Sequence, residues 1–154
     1  MHTFENTLTI GRPPREVFAF LADFQNVPRW NYAIKQTTKV SPGPVGVGAT
    51  YRQTRSIPRR GQDEFEVTVF DPPRRLAVYG QIGPFKARTS YLLEAVGGGT
   101  RLTNSVELDP PAVLRPAARL AAPRIKAAVA RNLGQLKQIL ERAAPPAVSP
   151  AAGS

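Results

Sequence analysis

Residues 123–142 place Ile125, Val129, Leu133, Leu136 and Leu140 along one side of a helix, with Arg124, Arg131, Gln135, Gln138 and Arg142 opposite. That spacing describes one long amphipathic helix. Nearly everything before it reads as short strands, so a single helix has to cover a large antiparallel sheet. A lone helix laid on a curved sheet leaves a gap, and such a gap can hold a small apolar ligand.

Composition narrows what that ligand site can be. A chain of 154 residues is one domain's worth and can bury a real core. Hydrophobic content of 42% and charged content of 21% are ordinary for a globular protein. No apolar run reaches the length that spans a bilayer. Residues 1–10 are polar and alternating, without the basic start and apolar centre of a secretory signal, so the expected compartment is the cytoplasm. Cysteine is absent and the one histidine is His2. Disulfides, thiolate nucleophiles, histidine triads and multi-histidine metal sites would need residues that this chain lacks. No cofactor, metal or catalytic residue is therefore assigned. The net charge of +10 is mostly arginine and is spread along the chain. It lacks the interleaved aromatics of a nucleic-acid platform, so no nucleic-acid partner is expected.

Alternation organises the rest. Phe4, Leu8 and Ile10 alternate with polar residues in a first strand that Asn6 interrupts. Arg12-Pro13-Pro14 ends it and starts a helix with Val17, Phe18, Leu21 and Ala22 on its apolar face. A second helical turn is predicted over 27–32, around Trp30. A polar edge strand over 34–40 and a glycine-bearing loop with Gly46 and Gly48 follow. The next strand, 49–57, carries Tyr51, Gln53 and Arg55 on its inward side. Phe65, Val67 and Val69 mark the inner face of the strand after the 59–62 hairpin. Asp63, Glu64 and Glu66 beside that hairpin read as a solvated face. Strands over 76–82 and 85–95 precede Gly97-Gly98-Gly99, with Thr89, Tyr91 and Leu93 facing inward. Thr100, Leu102, Asn104, Val106 and Leu108 alternate on the last strand. Pro116 and Pro123 predict a loose or kinked helical stretch over 112–122 and a regular helix after Pro123. Residues 143–154, uncharged and with three prolines, read as a disordered tail beyond a domain of residues 1–142.

Several local sequences resemble the polyketide cyclase/dehydrase branch of the START-like (SRPBCC) superfamily. They are Arg12-Pro13-Pro14-Arg15-Glu16-Val17-Phe18-Ala19-Phe20-Leu21, Asn26-Val27-Pro28-Arg29-Trp30, Gly43-Pro44-Val45-Gly46-Val47-Gly48-Ala49, Pro72-Pro73-Arg74-Arg75-Leu76, Gly98-Gly99-Thr100-Arg101-Leu102-Thr103 and Asn132-Leu133-Gly134-Gln135-Leu136-Lys137. The resemblance implies an α+β helix-grip fold: a seven-stranded antiparallel sheet wrapped around the C-terminal helix, with two short helices after the first strand. It also implies a cavity for a lipid-, sterol- or polyketide-like ligand. It assigns no catalytic residue.

The residues themselves nominate Trp30, Tyr51, Gln53, Tyr91 and Asn104 as ligand-binding. Trp30 offers a large wall between the short helices. The other four are polar or part-polar groups on inward strand faces, where each needs a partner in the protein or a ligand. Asn132, at the edge of the long helix's apolar stripe, fits either the cavity or the surface. The leading expectation is binding of a small hydrophobic ligand. An enzyme of cyclase or dehydratase type is the alternative. A third reading is an adaptor for a membrane surface or a protein, using the basic helix face. Stable membrane insertion is not expected, because the helix's apolar face is committed to the core and exposed arginines attract without anchoring. Oligomeric state is left open.

Overall fold

A computed structural model describes residues 2–56, 59–82 and 85–142. The expected tail over 143–154, and the expectations for Ile57 and Gly83-Pro84, lie outside the described residues.

The strands are β1 (His2–Ile10), β2 (Ile34–Lys39), β3 (Thr50–Arg55), β4 (Gly61–Asp71), β5 (Arg75–Ile82), β6 (Phe85–Val96) and β7 (Gly99–Asp109). They form one antiparallel sheet in the order β1-β7-β6-β5-β4-β3-β2. Strands β2 to β7 follow one another as a meander, which short turns permit. Between β1 and β2 the chain crosses from one sheet edge to the other through α1 (Pro14–Ala22), a 3₁₀ turn (Phe24–Asn26) and α2 (Val27–Trp30). Pro14 at the start of α1 suits the first helical turn, where no intrahelical N–H is required. Val17, Phe18, Leu21 and Ala22 are its buried side, as expected.

The closing helix, α3 (Arg115–Arg142), is 28 residues long and runs through Pro123 without a break. The expected loose stretch before Pro123 is therefore helical. Proline removes one hydrogen bond to the carbonyl four residues earlier. Both Pro123 and Arg119 are exposed, which leaves the freed carbonyl on the side of the helix that faces water. Leu133, Leu136 and Leu140 are buried beneath α3, whereas Val129 is only half-buried.

Two further expectations change. The register of β4 against β5 slips between Val67 and Val69. This bulge sets Val69 opposite Ala77, on the outer face, and turns Phe70 inward to meet Phe18 at 5.5 Å. Asp63 is not solvated: its side chain is 9% exposed and holds Arg55 Nε at 2.8 Å. Arg55 stands on the same inward side as Tyr51, and that pair closes the far end of the β3–β4 ladder.

The C-terminal turns of α3 are tied to the end of β1. Glu141 Oε2 accepts from the Gly11 N–H at 2.7 Å and from Lys137 Nζ at 2.8 Å, and Arg12 Nε donates to the Leu140 carbonyl at 2.8 Å. The Lys137 hydrogen bond, then that of Gly11, lowers the Glu141 pKa below its ordinary value. A lowered carboxyl contributes stability above its unfolded-state pKa, and that contribution is lost as pH falls through the lowered folded value. Glu141→Gln is expected to flatten the acid limb of the urea midpoint against pH, with the largest difference from wild type near neutrality. Parallel curves through the acid range would remove Glu141 from the clasp.

Candidate ligand-binding site

The apolar interior is divided. Under the later half of α3, Leu133, Leu136 and Leu140 join α1, α2 and the sheet in the main core. Under its first half, Ala118 meets Phe85, Ala87, Val106 and Leu108 in a separate cluster. A cavity of ≈130 Å³ lies along the seam. Gln53, Phe65, Gln81 and Tyr91 line it from the sheet together with the small or short residues Val78, Gly80, Ala87, Thr89 and Val106, which leave space beneath the helix. Leu21, Phe24 and Trp30 close it from the short helices, and Val129 and Asn132 from α3. This explains why Val129 is less buried than its place on the stripe implies.

Polar atoms concentrate at the same seam. Asn6, Asn104 and Tyr91 are direct neighbours across β1, β7 and β6. Asn6 Nδ2 donates to the Lys126 carbonyl of α3 at 3.4 Å, and Asn104 Nδ2 to the Ser90 carbonyl at 3.4 Å. Asn104 Oδ1, Asn132 Oδ1 and Trp30 Nε1 are buried without a hydrogen-bond partner. A buried polar atom left unpaired costs about 1–3 kcal/mol, so two such atoms on a cavity lining are places where a bound molecule gains contact. Burial raises the Tyr91 pKa far above its ordinary value, which keeps its phenol protonated and available as a donor.

A larger groove of ≈700 Å³ opens on the other side of Phe24, between α1, the loop over 43–45 and Pro72-Pro73. Phe24 borders both spaces. Its ring lies 4.7 Å from Tyr51 and 5.2 Å from Phe65, and those two stack at 5.2 Å with an 11° interplanar angle. Three aromatic rings thus stand between chamber and groove.

The nominated residues separate accordingly. Trp30, Gln53 and Tyr91 surround the chamber. Tyr51 faces the groove from the aromatic partition. Asn104 is fully buried beside Tyr91 and borders neither space. Burial, and then the nearby Asp23 charge, raises the Tyr51 pKa. Sequence reasoning did not select Phe24, Thr89 or Val129 and left Asn132 undecided. Asn132 is 8% exposed and lines the chamber. The available signal was its position between Val129 and Leu133, where an amide interrupts an apolar stripe.

Seven antiparallel strands closed by one long helix, with a cavity between them, define a helix-grip protein. Residues 1–141 match the family described as polyketide cyclase / dehydrase and lipid transport, and the chain belongs to that family. An uncharacterized protein of Mycobacterium tuberculosis is 32% identical over 146 residues, covering 89% of this chain and 83% of that one. The di-domain ARO/CYC protein StfQ from the steffimycin biosynthetic pathway superposes with a TM-score of 0.75 at 12% identity, over 90% of this chain and 50% of that chain. Ara h 8.0201 superposes with a TM-score of 0.68 at 20% identity, over 90% and 97% of the two chains. At these identities the likeness to the solved structures is one of fold. No helix among the described residues is long and apolar enough to cross a membrane.

Proposed function

We propose that the protein binds a small hydrophobic ligand, lipid-, sterol- or polyketide-like, in the chamber between sheet and α3. The supporting observation is the pairing of apolar walls with two unpartnered polar atoms, the Trp30 Nε1 donor and the Asn132 Oδ1 acceptor. That combination suits an apolar body carrying a hydroxyl, since a hydroxyl can accept from the indole N–H and donate to the amide oxygen. A void of this size accommodates about one benzene-sized ring. A larger ligand reaches into the neighbouring groove only when the Phe24 ring swings aside.

The cyclase or dehydratase alternative draws on the family and on the shared fold of StfQ, an ARO/CYC protein of a biosynthetic pathway. The lining favours binding. Among the described lining residues Tyr91 is the only titratable side chain, and burial holds that phenol protonated, fit to orient a ligand but not to take up a proton.

Trp30 is the only tryptophan, so its fluorescence reports on the chamber. Titration with an apolar anilinonaphthalene dye, whose phenyl ring has the size the chamber accepts while its naphthalene extends past a displaced Phe24 into the groove, is expected to change that emission saturably. Thr89→Leu, which fills the chamber from the sheet, is expected to weaken binding at least about tenfold, consistent with the loss of a buried ring's contacts. If a folded Thr89→Leu variant binds the dye as tightly as wild type, the chamber is not the site. Organic extraction of the freshly purified protein separates the readings further. A co-purifying apolar molecule that is unchanged on incubation supports binding, and its conversion supports an enzyme.

A further inference from the structure

The positive charge is unevenly matched. On the sheet, Arg52, Arg55, Arg88 and Arg101 pair with Glu64, Asp63, Glu107 and Glu94. Helix α3 instead carries seven basic residues against one acid, Glu141, which is engaged at its C-terminal end. Arg115, Arg119, Arg124 and Lys126 are exposed, and none forms an ion pair among the described residues.

The same half of the helix turns apolar groups to solvent. Val113, in the 3₁₀ turn that leads into α3, is 83% exposed and Leu120 is 80% exposed. Pro116, Ala117, Pro123 and Ala127 are exposed on the same side, which is opposite to buried Ala118. At 100° per residue, Arg115, Arg119 and Lys126 run along one border of this face and Arg124 lies toward the other. Attraction without an anchor was the objection to a membrane role for the basic helix. Val113 and Leu120 supply the anchor while Ala118 and Ile125 keep the opposite side on the core.

We propose that this face seats the protein reversibly on an anionic lipid bilayer. Val113 and Leu120 enter the interface, and Arg115, Arg119, Arg124 and Lys126 meet the lipid phosphates. Charge complementarity selects this occupant. A second copy docked through the same face would bring two unpaired cationic borders together around a small apolar patch. The proposal is independent of what the chamber binds.

Sedimentation of the full chain with phosphatidylcholine vesicles, with and without phosphatidylglycerol, tests it. Binding is expected only with the anionic lipid and is expected to fall steeply with salt. Val113→Ser/Leu120→Ser is expected to lower the partition coefficient roughly tenfold. Arg115→Gln/Arg119→Gln is expected to lower it roughly thirtyfold and to reduce the salt dependence. All four positions are exposed, so a thermal melt is expected to leave both variants folded as wild type. Equal binding by the serine variant would overturn the proposal, as would equal binding to neutral vesicles or no binding to anionic ones. Self-association that is lost on Leu120→Ser, without vesicle binding, would assign the face to a second copy.

Discussion

Leu136→Ala is expected to lower the unfolding free energy by about 2–5 kcal/mol. Leu136 is 0% exposed and belongs to the main core that α3 shares with α1, α2 and the sheet. Truncation removes the buried methyl groups and leaves a void beneath α3 that the close-packed core around it fills only in part. Urea midpoints with an unchanged slope would read the loss directly. A variant that unfolds at the wild-type midpoint would mean that α3 does not lie on the sheet by this face. Leu120→Ala provides the contrast: at 80% exposure its change is expected to stay within about 0.5 kcal/mol.

The features that strict periodicity carries were readable beforehand. Tyr91 and Leu93 face inward because β6 has no irregularity, and Leu102, Asn104, Val106 and Leu108 are all buried because β7 alternates without a slip. Val69 was misplaced because Phe65, Val67 and Val69 alternate in the sequence while the bulge exists only in the pairing with β5. Asp63 looked like a hairpin charge because its partner, Arg55, lies eight residues back on the neighbouring strand. Prolines obscured the phase of the first half of α3, and with it the outward face of Val113 and Leu120. The chamber itself is a property of what is missing. Gly80, Ala87 and Thr89 look ordinary one at a time, and only the sheet register brings these small residues together.

The same register makes added volume costly on this wall. Gly80→Ala is expected to destabilise the protein by about 1–3 kcal/mol. Gly80 on β5 sits directly opposite Phe65 on β4. A Cβ at position 80 would lie 2.4 Å from Phe65 Cβ, 2.6 Å from the Glu64 carbonyl oxygen and 2.8 Å from Phe65 Cα. None of these is the free end of a flexible side chain, so the two strands have to separate. Phe65 would then shift against Tyr51 and Phe24, which divide the chamber from the outer groove. Dye binding reported by Trp30 is therefore expected to weaken along with the melting temperature. Gly134→Ala isolates the cause. Gly134 lies in α3 with nothing within 4 Å of a new Cβ, and alanine there favours the helix by about 1 kcal/mol. The same one-carbon addition is thus expected to lower the melting temperature at position 80 and raise it at position 134. A Gly80→Ala melt within error of wild type would show that β4 and β5 do not approach this closely, and the chamber's sheet wall would have to be redrawn.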